Sequence, residues 1–133
     1  MKAMFDLNII LDVLQLRQPW AYASGEMCAR AVRGEIDAFV APHVATTLFY
    51  VLRKHADYAA AERGIDWLLA TSSFAPCDKD IFLRARALSM RDFEDSVIAA
   101  SAEASHCDII MTRNIGDFTG SPIPALSPED FLG

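Results

Sequence analysis

The sequence predicts an α/β fold in which helices cover both faces of a central parallel sheet of about four to five strands. Short apolar runs alternate with longer segments of helical periodicity along the 133 residues, and strands that alternate with helices usually form a parallel sheet. Hydrophobic residues make up 53% of the chain, which is enough to bury a core without disulfides or a structural metal. We therefore expect one domain over residues 1–133.

Four segments have the length and composition of strands. These predicted strands cover residues 3–6, 36–41, 74–77 and 108–112. The segments between them carry apolar residues at helical spacing. These predicted helices cover residues 7–16, 21–33, 42–54, 58–69, 81–88, 93–105 and 127–132. Pro42 suits the first position of its helix, and Gly34 suits the position just after a helix.

The formal net charge of −6 disfavours binding of nucleic acid through overall electrostatics, because such proteins usually carry a basic surface. A bound divalent cation would reverse the local field that a phosphodiester meets, and an acidic surface also suits a basic partner protein. The three cysteines, Cys28, Cys77 and Cys107, form no disulfide or zinc pattern. Because no signal-type or membrane-spanning apolar stretch is present, we expect a cytoplasmic protein without membrane contact.

Acidic and amide side chains are predicted to meet at the carboxyl edge of the sheet. Asp6 ends the first strand, Asn114 and Asp117 follow the last predicted strand, and Asp92 and Asp95 open a helix whose N-terminus can face this edge. Carboxylates that share a small volume raise one another's pKa unless a cation neutralises them. Oxygen ligands without His or Cys favour Mg²⁺ or Mn²⁺. The sequence therefore predicts a metal site suited to phosphodiester hydrolysis.

Each of these residues also fits a structural role. Asp6 is placed to cap the turn after its strand, and Asp92 is placed as an N-cap with Asp95 three residues later. Asp117 and Asn114 suit a turn after a strand.

Four more polar residues lie near the acidic residues in the predicted fold. Asp12 fits either the rim of the site or an exposed helix surface. His43, in the first turn of its helix, fits either proton transfer or a structural role. Arg91 and Arg113 flank the acidic segments and are placed to contact phosphates.

Three sequence boxes occur in a defined order along the chain. They are Phe-Asp-Leu-Asn-Ile-Ile-Leu-Asp at 5–12, Asp-Phe-Glu-Asp at 92–95 and Thr-Arg-Asn-Ile-Gly-Asp-Phe at 112–118. In order and spacing these boxes resemble those of the PIN-domain family, and the likeness continues to residue 132. Each box alone is a weak signal, but together they are specific. The resemblance implies a three-layer α-β-α fold.

The resemblance also implies a Mg²⁺- or Mn²⁺-dependent ribonuclease, commonly the VapC-like toxin of a type II toxin–antitoxin pair. By position, Asp6, Asp95 and Asp117 resemble the catalytic metal-binding acids of the family, with Asn114 beside them and Asn8 as an organiser of the first loop. The implied partners are an RNA substrate and an antitoxin whose basic arm would enter the acidic cleft. Apolar surface on the predicted helices around 44–52 and 58–69 would serve that partner or a homodimer.

One position departs from the family pattern. Many PIN nucleases carry a glutamate early in the helix after the second strand, where this chain has Thr47. Asp92 or Glu94 is placed to substitute for that acid, and we include Asp92 among the expected metal ligands. The alternative is a non-catalytic PIN-like module that binds RNA or protein and needs no metal. A hydrolase with Asp6 as covalent nucleophile fits less well, because position 8 is Asn8 and no lysine lies near the later acidic box.

Overall fold

The computed structural model describes all 133 residues and contains one five-stranded parallel sheet. The strands are β1 (Lys2–Phe5), β2 (Asp37–Val40), β3 (Ser73–Phe74), β4 (Ile109–Met111) and β5 (Ala125–Leu126). They pair in the order β3-β2-β1-β4-β5, and every pair is parallel. The prediction of an α/β fold with a parallel sheet of four to five strands is therefore confirmed.

Helices connect the strands on both faces of the sheet. They are α1 (Leu7–Leu14), α2 (Ala21–Val32), α3 (Pro42–His55), α4 (Tyr58–Thr71), α5 (Lys79–Ala87), α6 (Phe93–Ala104) and α7 (Pro128–Leu132). The connections from β1 to β2 and from β2 to β3 run toward one edge of the sheet. The connections from β3 to β4 and from β4 to β5 run toward the opposite edge. Right-handed crossovers therefore place α1 to α4 on one face and α5 and α6 on the other. No helix is long and apolar enough to cross a membrane.

The strand order reverses beside β1, which pairs with β2 on one side and with β4 on the other. In a doubly wound sheet this switch point leaves a crevice outside the carboxyl ends of the two central strands. Phe5 at the end of β1 is aligned with Met111 at the end of β4. The loops that follow β1 and β4 therefore begin side by side, although more than a hundred residues separate them along the chain.

The core is apolar and lies on both faces of the central strands. Met4, Ile110 and Met111 are fully buried in the sheet. Helix α6 packs against β1 and β4 through small side chains, such as the fully buried Ala99 and Ala102. Small residues allow the helix backbone to approach the sheet closely. This agrees with the close packing that the Ala-rich face of the helix indicates.

The structure differs from the sequence predictions at two strands near the ends of the sheet. The predicted strand 74–77 overlaps the observed strand only at Phe74, because β3 is Ser73–Phe74 and its pairing with β2 ends with the hydrogen bond from the Ala75 N–H to the Val40 oxygen. The next residue is Pro76, which has no N–H to donate. Strand β5 was not predicted, because two paired residues among prolines and serines have no detectable periodicity.

The largest correction concerns Asp12, which is neither at a rim nor on a surface. Its side chain is fully buried and accepts two hydrogen bonds from Arg113, at 2.7 Å from Nε and 3.0 Å from Nη2. The Ser24 hydroxyl donates a third hydrogen bond at 3.0 Å, and the guanidinium of Arg113 lies 4.0 Å from the ring centroid of Trp20. Arg113 therefore ties the loop after β4 to α1 through two of its guanidinium nitrogens, and its contact with phosphate stays a prediction.

We expect Arg113→Met to lower the free energy of unfolding by about 3–5 kcal/mol, because it leaves the buried carboxylate of Asp12 without a cation. Urea denaturation measures the change. Arg84→Met is the matched control, because Arg84 pairs with Glu103 at 2.8 Å but both side chains are substantially exposed. That control should cost less than about 1 kcal/mol. Equal effects of the two substitutions would contradict the role of the buried pair.

Candidate metal centre

A cleft of about 360 Å³ opens at the carboxyl ends of β1 and β4, beside the N-terminus of α6. Its apolar floor comes from α1, α3 and α6. Its polar lining consists of Asp6, Asn8, Arg17, Asp92, Glu94, Asp95 and Asn114. Four of the five sequence-predicted site residues therefore lie in one cleft, although they come from three separate parts of the chain.

Asp6 is the most buried acid of the cleft, with 9% of its surface exposed. It is the N-cap of α1 and accepts a hydrogen bond of 2.8 Å from the Leu7 N–H. Its other oxygen accepts hydrogen bonds from the Thr112 hydroxyl at 2.9 Å and from Nδ2 of Asn8 at 3.3 Å. The capping role is therefore real, and it holds the carboxylate in one orientation at the cleft.

A small hydrogen-bond network joins the loops after β1 and β4. The fully buried Thr112 accepts a hydrogen bond from the Asn114 N–H at 3.0 Å while its hydroxyl donates to Asp6. Oδ1 of Asn8 accepts from the Arg113 N–H at 3.4 Å. Asn8 thus organises the first loop, as expected from its position, and Thr112 fixes the backbone that carries Asn114.

The N-terminus of α6 supplies the remaining acids. Asp92 is its N-cap and accepts a hydrogen bond of 3.0 Å from the Asp95 N–H. Glu94 and Asp95 lie in the first turn, where the helix dipole favours negative charge by about 0.3–1 kcal/mol. Asp92 therefore has the structural role that its spacing predicted and also lines the cleft.

Several carboxylates lie close together in and beside the cleft, and burial and their charges raise the pKa of two of them. Burial, aided by the charges of Asp6, Asp92, Asp117 and Glu94, raises the pKa of Asp95 to about 7. Burial also raises the pKa of Asp6, against the opposing effect of the Thr112 hydrogen bond. Burial and the neighbouring negative charges together therefore keep one carboxyl group of the cleft partly protonated near neutral pH.

Asp117 lies beside the cleft rather than in its lining. It is in a 3₁₀ turn (Ile115–Phe118), where it lines a neighbouring pocket with Arg91. Its side chain is 45% exposed, and Nη2 of Arg91 lies 4.0 Å from its Oδ1. Its charge nevertheless contributes to the raised pKa of both Asp6 and Asp95. The structure thus brings Asp117 within electrostatic range of the predicted site, with Arg91 beside it.

The donor set fits a hard divalent cation. Every potential ligand in the cleft is a carboxylate or amide oxygen, the kind of atom that Mg²⁺ and Mn²⁺ prefer. No three acidic, His or Cys side chains converge closely enough to form a complete coordination shell by themselves. Mg²⁺ commonly retains several waters and uses only one or two carboxylates, so a partial protein shell agrees with its chemistry.

A second cavity of about 300 Å³ adjoins the cleft and shares one wall with it. Its lining residues are His43, Thr47, Phe82, Phe93, Glu94 and Val97. Glu94 lines both cavities, whereas Thr47 lines only this second one. Nε2 of His43 lies 3.8 Å from Oε1 of Glu94. Burial lowers the pKa of His43, and the charges of Glu94 and Asp6 oppose that shift.

Sequence reasoning missed two features of the cleft. Thr112 was read only as part of a motif, although a hydroxyl at the end of the strand beside β1 is placed to bond to a carboxylate at the end of β1. Arg17 lines the cleft from beyond α1, and no periodic pattern marks it.

Comparison with known structures supports the fold. The chain is similar to a VapBC2 complex from Rickettsia felis bound to a promoter DNA fragment, with a TM-score of 0.72, 18% identity, and coverage of 96% of this chain and 98% of that chain. VapBC-1 from Haemophilus influenzae gives a TM-score of 0.70, 16% identity and coverage of 97% and 99%. VapC20 of Mycobacterium tuberculosis, a Sarcin-Ricin loop cleaving toxin, matches with a TM-score of 0.70 and 11% identity. The match covers 91% of this chain and 95% of that chain.

No match was found among curated protein sequences. The structural similarities, all at low identity, establish that the architecture is that of VapC toxins. The family model described as PIN domain matches residues 2–116, a span that contains all of the predicted acidic residues except Asp117. The chain therefore belongs to the PIN domain family.

Proposed function

We propose that this protein is a divalent-metal-dependent ribonuclease that hydrolyses RNA phosphodiesters, with residues 1–133 acting as one PIN-like domain. The observation that carries the proposal is the gathering of carboxylates around Asp6 and Asp95 in one cleft, where burial and the neighbouring negative charges together raise the pKa of Asp95 to about 7. A bound cation would relieve this repulsion, and no other side chain in the cleft except Arg17 carries positive charge. Family membership supports the same activity.

In this proposal Asp6, Asp95 and Asp117 are the catalytic acids and the principal metal ligands, with Asn114 and Asp92 as further metal-site residues. When bound, Mg²⁺ or Mn²⁺ would lower the pKa of water and offset the charge of the phosphodiester. Asp6 enters this role with its orientation fixed by the hydrogen bonds from Leu7 and Thr112.

Two residues complete the proposed site. Glu94 lines both the cleft and the adjoining cavity that Thr47 also lines, so it is placed to supply the acid that the family usually carries at Thr47. Arg17 brings the positive charge that lines the cleft and is placed to contact a phosphate, a contact that positions nucleic acid without reading its sequence.

The proposed biological setting is that of a VapC-like toxin in the cytoplasm. The similar structures include toxin–antitoxin complexes, and the acidic cleft is electrostatically complementary to a basic antitoxin segment. An arginine or lysine placed there would occupy the position of the cation. For a homodimer we propose the surface formed by α3 and α4, where Tyr50, Tyr58 and Leu69 are each more than half exposed.

The alternative function is a non-catalytic module that binds RNA or protein. Thr47 favours it, because a neutral hydroxyl replaces the usual acid. Such a module needs no cation, so its binding would be unchanged by EDTA.

We expect Asp95→Asn to reduce the rate of RNA cleavage by at least about a hundredfold. The reason is that a metal ion contributes several kcal/mol to transition-state stabilisation and each ~1.4 kcal/mol corresponds to a factor of ten in rate. Cleavage of structured RNAs, including a sarcin–ricin loop, is measured with Mn²⁺, with Mg²⁺ and with EDTA. Asp95→Asn should not lower the free energy of unfolding by urea, because the substitution is nearly isosteric and removes one of the mutually repelling charges.

Asp66→Asn is the matched control, because Asp66 is an exposed acid on α4, away from the cleft. It should cleave at the wild-type rate. A wild-type rate in Asp95→Asn would contradict the site, and metal-independent binding of RNA without cleavage would favour the non-catalytic module.

The raised pKa of Asp95 leads us to expect a specific pH dependence of stability in the metal-free protein. The folded state holds the proton up to about pH 7, whereas an unfolded aspartate releases it near ~3.9. Folding therefore binds a proton between these values, and this contribution makes the protein less stable as the pH rises from about 4 to about 7. Asp95→Asn should weaken this dependence. Urea denaturation from pH 5 to pH 8 measures it.

The comparison requires EDTA throughout, because a bound cation would lower the pKa of the carboxylate. Asp66→Asn should keep the wild-type dependence on pH. An unchanged dependence in Asp95→Asn would mean that another group titrates in this range.

A further inference from the structure

The cavity beside the acidic cleft contains two aromatic side chains that the proposed hydrolysis does not use. Phe82 on α5 and Phe93 on α6 have their ring centroids 5.9 Å apart, with the ring planes inclined at 45°. They are 43% and 46% exposed, so large parts of both rings face solvent. An exposed aromatic pair in a concave site is a common platform for a flat ligand.

Polar groups face the same cavity from its other wall. His43 and Thr47 lie one turn apart on α3, and Glu94 lies in the first turn of α6. Nε2 of His43 is buried and has no hydrogen-bond partner. The carboxylate of Glu94 at 3.8 Å is too far away to satisfy it. A buried polar atom without a partner is uncommon in native proteins and indicates that something else completes the site.

We propose that this cavity binds one unpaired nucleobase of the RNA whose phosphate lies in the acidic cleft. A nucleobase has an apolar face that stacks on Phe82 or Phe93 and a polar edge that bonds to the polar wall. An aliphatic side chain of a partner protein would cover the rings but leave Nε2 of His43 without a partner. The proposal rests on the proposed function, because the base belongs to the same RNA whose phosphate lies in the acidic cleft. The cleft and the cavity adjoin at Glu94, which lines both.

The charge of the polar wall also indicates which bases bind. Glu94 is an acceptor and is 64% exposed at its side chain, so it pairs best with a base that presents an amino group. Adenine, cytosine and guanine each have an exocyclic amino group, whereas uracil has two carbonyls flanking its N–H. The cavity therefore selects an amino-bearing base over uracil.

The test is a titration of the full-length protein with nucleoside 5′-monophosphates in EDTA, followed by ¹H–¹⁵N NMR. The titration contains no metal and measures binding only, so its result does not depend on nuclease activity. Failure of base binding can therefore be distinguished from failure of the proposed ribonuclease function. We expect AMP to shift the resonances of Thr47, Phe93 and Val97, and to bind more tightly than UMP. Ribose 5-phosphate, which lacks a base, should leave these resonances unchanged.

Variants of the aromatic wall make the assignment specific. Phe82→Leu and Phe93→Leu keep the cavity apolar but remove a ring, and at least one of them should weaken AMP binding by about fivefold or more. Phe74→Leu is the matched control, because Phe74 is also partly exposed but lies on β3, outside this cavity. The proposal would be overturned if all three variants bound AMP as tightly as the wild-type protein. It would also be overturned if AMP and ribose 5-phosphate shifted the NMR resonances equally. Equal affinities for AMP and UMP would overturn the assignment of Glu94.

Discussion

The repulsion between carboxylates at the carboxyl edge of the sheet is the constraint on which the rest of the site depends. Five acids from three parts of the chain act on one another there, and burial together with the charges of the other four raises the pKa of Asp95 to about 7. Such a cluster opposes folding unless protons or a cation neutralise it. Because the fold brings these acids together in spite of that repulsion, they are positioned to bind a positively charged ligand.

The scaffold that holds this cluster is built from strongly connected elements. The parallel pairing of β1 with β4 sets the two loops side by side, and the Thr112 hydroxyl then fixes Asp6. The buried pair of Asp12 and Arg113 anchors the loop after β4 to α1. Because Asn114 directly follows Arg113, this ion pair positions the site without belonging to it. Rigid support of this kind keeps charged groups together at a fixed separation.

Much of the fold was predictable because its signals are local. Apolar runs and helical spacing placed the main strands and all seven helices, and parallel connectivity then brought Asp6 and Asn114 to one edge. The predicted cap at Asp92 was also correct, because capping depends on the residues of one turn. The boxes at 5–12, 92–95 and 112–118 identified the family, which the match over residues 2–116 confirms.

What the sequence did not reveal depends on contacts between distant residues. The burial of Asp12 follows from its pairing with Arg113, 101 positions away, and helical periodicity alone cannot separate a buried acid from an exposed one. The same holds for Arg17 in the cleft and for the aromatic cavity, whose walls come from α3, α5 and α6. Asp117 was expected among the ligands, but its place beside the cleft depends on the 3₁₀ turn that carries it.

The most direct test of the central claim is calorimetric titration of the purified protein with Mn²⁺ at pH 7, in two buffers of different ionisation enthalpy. If the acids form a cation site, the wild-type protein binds Mn²⁺ and releases part of a proton, because Asp95 is partly protonated at this pH. Asp95→Asn should bind at least about tenfold more weakly and release less of a proton, while Asp66→Asn behaves as wild type. No binding at millimolar Mn²⁺, or equal affinity in Asp95→Asn, would contradict the account.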